Sequence, residues 1–139
     1  MSRAPTAPCP CHSGRTYKRC CLRYHQGQAT PPSPEALMRS RYAAYAVAAV
    51  DYVIASTDPA GPVHREDRDA WAAEILEFCK ATRFERLHIR ASEVEGERGV
   101  VEFHAQLRRA GDDVSFVERS EFVRVDGRWL YHDGVIAKA

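Results

Sequence analysis

Four of the chain's five cysteines fall within thirteen positions, as Cys9, Cys11, Cys20 and Cys21 in "CPCHSGRTYKRCC". Neighbouring α-carbons lie about 3.8 Å apart, short of the usual disulfide span of about 4.4–6.8 Å. A Cys20–Cys21 bridge is therefore strained, and a Cys9–Cys11 bridge is little better placed. Cross-pairing is geometrically allowed, but in a reducing compartment clustered cysteines serve more often as metal ligands or redox groups. Zinc suits the spacing, because four thiolates about 2.3 Å from one ion close a tetrahedron. Ser13 and Gly14 fit a tight turn after the first pair, with Gly14 tolerating positive φ. Unmetallated thiols, idle or in redox exchange, are the competing reading. About thirty residues with few large apolar side chains build no core of their own, whereas structural zinc contributes on the order of 10–16 kcal/mol in small finger peptides.

Charge separates the same segment from the rest. Residues 1–34 carry Arg3, Arg15, Lys18, Arg19 and Arg23 and no acid, a balance of +5 against −4 for residues 35–139. Four thiolates around Zn2+ total −2, which leaves the segment at about +3. The joint is "QATPPSPEA", residues 28–36, whose three prolines favour a stiff, extended connection. The expected organisation is a zinc-binding unit over residues 1–28, a linker over 29–34 and a second domain over 35–139. No run of about 18 apolar residues exists to span a membrane. The opening "MSRAPTAPCP" lacks the apolar core of a secretory signal, so a cytoplasmic protein is expected.

The cysteine run is similar to the SEC-C zinc motif, known from the tail of the SecA translocation ATPase and from many small bacterial proteins. The resemblance implies that Cys9, Cys11, Cys20 and Cys21 are the zinc ligands, Cys21 standing where other members often have histidine. His12 departs from the pattern, which usually has glycine there, and His25 offers a substitute ligand.

Beyond the joint, Ser33 is a good N-cap, Pro34 a good first helical residue and Glu35 a good first-turn acid. Apolar residues at 37, 38, 42, 45 and 49 keep near-helical spacing, and the alanines between them let a neighbour pack close. Asp51 is expected to interrupt this helix, leaving a short second one before the "DPAGP" loop. A third helix is expected from about Glu66 to Lys80, with Trp71, Ile75, Leu76 and Phe78 on its apolar side and Cys79 as a small buried side chain. The period then changes to two. Leu87, Ile89 and Ala91 alternate with polar residues, as do Val101, Phe103, Ala105 and Leu107. "VSFVERSEFVRV" follows, and Asp126-Gly127 signals a two-residue hairpin turn. That turn sets Val125 opposite Arg128, Phe122 opposite Tyr131 and Ser120 opposite Asp133, unless a bulge intervenes. Phe116, Glu118, Ser120, Phe122, Trp129, Tyr131 and Asp133 then share one face, turned toward the helices. Helices followed by a meander read as α+β.

The pieces "SPEALMRSRYAAY", "VEFHA", "ERSEFVR" and "GRWLYHDG" together look like the YchJ family of small bacterial proteins. Its members pair a SEC-C motif with a domain of the nuclear transport factor 2-like (NTF2-like) fold. The match runs from Cys9 to Gly134. His25 and Gly27 fit the pattern, while Leu22 and Arg23 replace its common Gly-Pro. The resemblance implies a zinc knuckle followed by a cone of about three helices packed on a curved antiparallel sheet of about four strands.

Two classes of function follow. In the first, the knuckle presents Arg15, Tyr17, Lys18, Arg19 and Arg23 to a partner. By resemblance to SecA this is a protein, such as the SecB chaperone or the translocation machinery; basic residues interleaved with aromatics also suit nucleic acid. In the second, the cone holds a small molecule or a reaction, with His104, Glu118, Ser120, Trp129, Tyr131 and Asp133 as candidates, against a purely structural network joining Glu118 to Arg39 or Arg41. The pair Arg39 and Arg41 also suits a phosphate or carboxylate. No nucleophile–base–orienter set is visible, and the binding module is the reading preferred. Exposed sheets of this fold often dimerise.

Overall fold

The cysteine segment folds as one short bridge and two helical turns. The computed structural model describes residues 3–138. Pro8 and Thr16 form an isolated antiparallel bridge. A single 3₁₀ turn, Tyr17–Arg19, and the one-turn α1, Leu22–His25, follow.

The long helix α2 spans Pro34–Val47 and begins as its sequence dictates: the Ser33 hydroxyl accepts from Ala36 N at 3.1 Å, and Pro34 stands in the first turn. It ends at Ala48, whose φ of 58° lies in the left-handed region. The break thus comes before Asp51, not at it. Asp51 instead lies in the first turn of α3, Val50–Ala55, and pairs with Arg68 at 2.9 Å. Helix α4, Arg68–Ala81, is capped by Asp67, which accepts from Ala70 N at 3.0 Å.

The sheet strands are β1 (Arg83–Glu95), β2 (Arg98–Arg109), the two-residue β3 (Asp112–Asp113), β4 (Phe116–Val125) and β5 (Arg128–Lys138). All pairings are antiparallel, in the order β1-β2-β4-β5, with β3 pairing β2. The Asp126-Gly127 turn has φ of 51° and 78°, the double positive-φ signature of a type I′ hairpin. The expected register holds from Val125–Arg128 to Phe122–Tyr131 and then shifts, so that Asp133 faces Glu121 and Ser120 faces Gly134. The extra residue is His132. Released from the ladder, it reaches Asp58 at 2.9 Å, which is what a bulge is suited to do. A second irregularity between Ile89 and Ala91 leaves Ala91 exposed, off the expected face.

Helix α2 is buried on three sides. Leu37, Met38 and Tyr42 pack on Phe103, Leu107, Phe122 and Trp129 of the sheet. Ala44 meets Val53, Trp71, Ile75 and Cys79 of α3 and α4. Ala43 and Val47 pack against the cysteine cluster. Alanine at 43 and 44, with no exposed surface, permits this close approach. The composition boundary at the joint is therefore not a packing boundary. No helix of the described residues is long and apolar enough to cross a membrane.

Candidate metal centre and cavity

The knuckle's backbone aims four sulfurs at one point. Cys9 N donates to Arg15 O at 2.9 Å and His12 N to Cys9 O at 3.2 Å, which closes the loop carrying Cys9 and Cys11. Gly14 has φ of 88°, the positive value expected for it. His12, the departure from the usual glycine, also adopts positive φ, at 63°, so the turn survives the substitution. Cys20 and Cys21 sit between the 3₁₀ turn and α1. The four Sγ atoms lie within 4.8 Å of one another, with Cys11–Cys20 at 3.6 Å and Cys20–Cys21 at 3.8 Å. Sulfurs about 2.3 Å from a common centre have tetrahedral edges of ~3.8 Å. The cluster is buried, and none of its cysteines is in a disulfide. It can hold a metal ion.

The thiols disagree about their protons. Cys20 is held far below the ordinary thiol range by contacts with Cys11, Cys21 and Cys9. Cys21 and Cys9 are pushed far above it by their bonds to the neighbouring sulfurs, those of Cys11 and Cys20 foremost, and by burial. Cys20, and to a lesser extent Cys11, ionise at the expense of Cys9 and Cys21, and a bound dication removes that conflict by favouring every thiolate. Gly14→Ala should lower stability by about 1 kcal/mol through backbone strain alone. The added methyl meets nothing within 4 Å, so urea denaturation reads the strain directly.

Two hydrogen bonds fasten this unit to α2. Arg39 Nη1 donates to Cys11 O at 2.9 Å. His25 Nε2 lies 2.8 Å from Ser40 O, a pure acceptor, so Nε2 carries the proton and Nδ1 accepts from Tyr17 OH at 2.6 Å. Both ring nitrogens are thus engaged, and His25 is not a substitute ligand. Tyr17 is likewise not a presented residue: its ring is buried, and burial followed by the nearby Cys9 raises its phenol to about 12. Arg23 is also committed, to Cys20 O at 3.1 Å and Tyr24 OH at 3.1 Å, leaving Arg15, Lys18 and Arg19 as the exposed cations. Nothing in the residue types of this basic, polar run marks His25 as a bolt; its partner Ser40 lies fifteen positions away.

Burial pushes His25 below its usual 6.5. The unfolded chain then takes up a proton that the folded one refuses. Its contribution is complete above about pH 6.5 and is lost as pH falls below that value. His25→Phe should cost about 2–3 kcal/mol at pH 7.5. Chemical denaturation should show the gap between wild type and variant narrowing toward pH 5.5.

Between α2, α4 and the concave sheet face lies a cavity of about 520 Å³. Glu118 and Tyr131 line it, and Ser120 lies beneath, donating to Glu118 Oε2, which also accepts from Tyr131 OH at 2.9 Å. Gly134 is required here: a Cβ would come within 2.7 Å of both Glu118 Cδ and Tyr131 OH. The other candidates lie elsewhere. Trp129 is packed in the core with Arg124 over its ring at 5.0 Å. Strand alternation turns His104 to the opposite sheet face, where it stacks on His88 at 6.0 Å. The bulge carries Asp133 off the register, and its Oδ1 accepts from Gly134 N. Arg39 and Arg41 do not share an anion site. Arg39 serves the knuckle, while Arg41 lines the cavity and donates from Nη1 to Val53 O, Ser56 Oγ and Thr57 Oγ1.

Comparison with known proteins places both parts. Residues 33–134 match the model of the YchJ middle NTF2-like domain, and residues 6–23 match the SEC-C motif. A UPF0225 protein of Deinococcus radiodurans is 43% identical over 130 residues, covering 93% of this chain and 89% of its own. A UPF0225 protein of Streptomyces coelicolor is 38% identical over 134 residues, covering 94% of this chain and 96% of its own. The solution structure of a SEC-C motif containing protein from Rhodopseudomonas palustris superposes with a TM-score of 0.79 at 40% identity, over 91% of this chain and 96% of that one. A crystal structure of a SEC-C motif containing protein from Psychrobacter arcticus shares the fold, with a TM-score of 0.78 at 23% identity over 97% of this chain and 85% of that one.

Proposed function

We propose, from the premise that this chain belongs to the YchJ family of SEC-C motif plus NTF2-like proteins, that it is a zinc-containing adaptor. Its knuckle docks an acidic segment of a partner protein. Cys9, Cys11, Cys20 and Cys21 hold one Zn2+, and because all four positions are sulfur the ion has no open site for a reaction and acts structurally.

The observation that carries the docking reading is a cluster of exposed cations in a segment that contains no acid of its own. Each arginine ion pair among the described residues lies beyond residue 34: Arg39–Glu35, Arg65–Glu74, Arg68–Asp51, Arg108–Glu85 and Arg124–Glu97. Arg15, Lys18 and Arg19 are exposed and pair with no acid among the described residues. A fixed set of unpaired cations on a rigid turn complements an acidic surface and speeds its encounter. A protein is favoured over nucleic acid because the aromatic rings that would stack on bases, Tyr17 and Tyr24, are buried.

Titrating the zinc-loaded protein with a decaglutamate peptide at low salt should shift the backbone amides of Arg15, Lys18 and Arg19. The triple charge reversal Arg15→Glu/Lys18→Glu/Arg19→Glu should abolish those shifts. Silence toward the peptide, or stronger shifts with oligouridylate, would overturn the reading.

A further inference from the structure

Between its inner end and its rim the cavity is apolar. Its walls include Tyr45, Trp71, Phe78, Phe103 and Phe116, and its volume of about 520 Å³ falls within the ~300–1,000 Å³ range of small-ligand sites. Into this enclosure the chain places two full charges, Arg41 at 5% exposure and Glu118 at 7%. A charge this deep is costly unless it is fully hydrogen-bonded.

Neither group is satisfied by the protein alone. Arg41 makes its three described bonds through Nη1, which leaves Nε and Nη2 without a described partner. Glu118 receives Ser120 and Tyr131 at Oε2, while Oε1 has no described partner. The two residues meet across one ring: the Arg41 guanidinium carbon lies 4.4 Å from the centre of Tyr131, whose hydroxyl donates to Glu118. A donor edge and an acceptor edge are thus set side by side at the closed end of an aromatic cone.

The charges cancel. An anionic head would gain Arg41 and be repelled by Glu118, and a cationic head would meet the reverse. The pair Arg65 and Glu74 at the exposed rim cancels in the same way. An uncharged head that offers an acceptor and a donor together suits both edges and keeps neither charge unmatched.

We propose that this cavity binds an uncharged aromatic or alicyclic small molecule whose polar end presents an acceptor to Arg41 and a donor to Glu118. The site is separate from the knuckle, and its occupancy does not depend on whether the knuckle docks a partner.

The test uses three probes of one shape on the full zinc-loaded chain: biphenyl-4-carboxamide, biphenyl-4-carboxylate and 4-phenylbenzylamine. Calorimetry should find the amide bound at least tenfold tighter than the acid or the amine. Glu118→Gln, which keeps the shape of the side chain, should raise the affinity for the carboxylate at least tenfold and erase the preference. Ile136→Trp, at a rim residue that is 61% exposed and so tolerant of change, should slow or block entry of all three. Absence of saturable binding by every probe marks a cavity that holds only water and overturns the proposal. Equal binding of amide, acid and amine, or a Glu118→Gln variant with unchanged preference, overturns it equally.

Discussion

Replacing Cys20 and Cys21 by serine should empty the metal centre, unfold the segment from Pro8 to His25 and lower the thermal midpoint of the whole chain by about 10 °C or more. The knuckle has little apolar core of its own: four cysteines, Pro10, Tyr17 and Tyr24 are its buried residues, completed by Ala43 of α2 and by half-buried Leu22 and Val47. Structural zinc supplies on the order of 10–16 kcal/mol in comparable small units, far more than these side chains provide. Without the metal, the two remaining thiols and the two new hydroxyls share one buried volume with no dication to draw them together. The effect spreads because the knuckle is bolted to α2 through Arg39–Cys11 O and His25–Ser40 O. Hydrogen exchange should show amides 9–25 unprotected and those of α2 near Ser40 to Val47 weakened. Unchanged protection across residues 9–25 would mean that sulfur and metal are not what folds this segment.

Arg41→Leu should cost about 3–5 kcal/mol, the scale expected when several buried hydrogen bonds to one charged group are lost together. The leucine keeps much of the packing but deletes three hydrogen bonds, to Val53 O at 3.0 Å, Ser56 Oγ at 2.7 Å and Thr57 Oγ1 at 3.1 Å. It also leaves Glu118 as a lone buried charge. Adding Glu118→Gln to that background should recover about 1–3 kcal/mol, since sites that line one cavity couple by this much. An exposed pair such as Arg124–Glu97 should show much weaker coupling in the same cycle. Denaturant unfolding of the four proteins checks both figures, and no recovery in the double variant would show that the two charges act independently.

Local chemistry made much of this structure legible from sequence. Ser33-Pro34 starts α2, Asp67 starts α4 within one residue or two of the expected place, and Asp126-Gly127 fixes the hairpin register as far as Phe122–Tyr131. The cysteine spacing likewise foretold convergence of the four sulfurs. Legibility ended where the deciding partner is remote. The bulge at His132 exists beside Asp58, seventy-four residues away, and no two-residue turn rule contains that information. Tyr17 and His25 look like surface residues in a basic run; Tyr17 is buried and His25 half-buried because the knuckle lies on Ala43 and Ser40 of α2. Arg41 reads as an ordinary helical cation, yet its neighbours in space are the end of α3 and Tyr131.

X-ray absorption at the zinc edge, on protein purified without added metal, bears most directly on the link between the cysteine cluster and the fold. One zinc per chain with four sulfur neighbours at about 2.3 Å is expected. A chain free of metal, or a first shell in which nitrogen or oxygen replaces any of the four sulfurs, would contradict it.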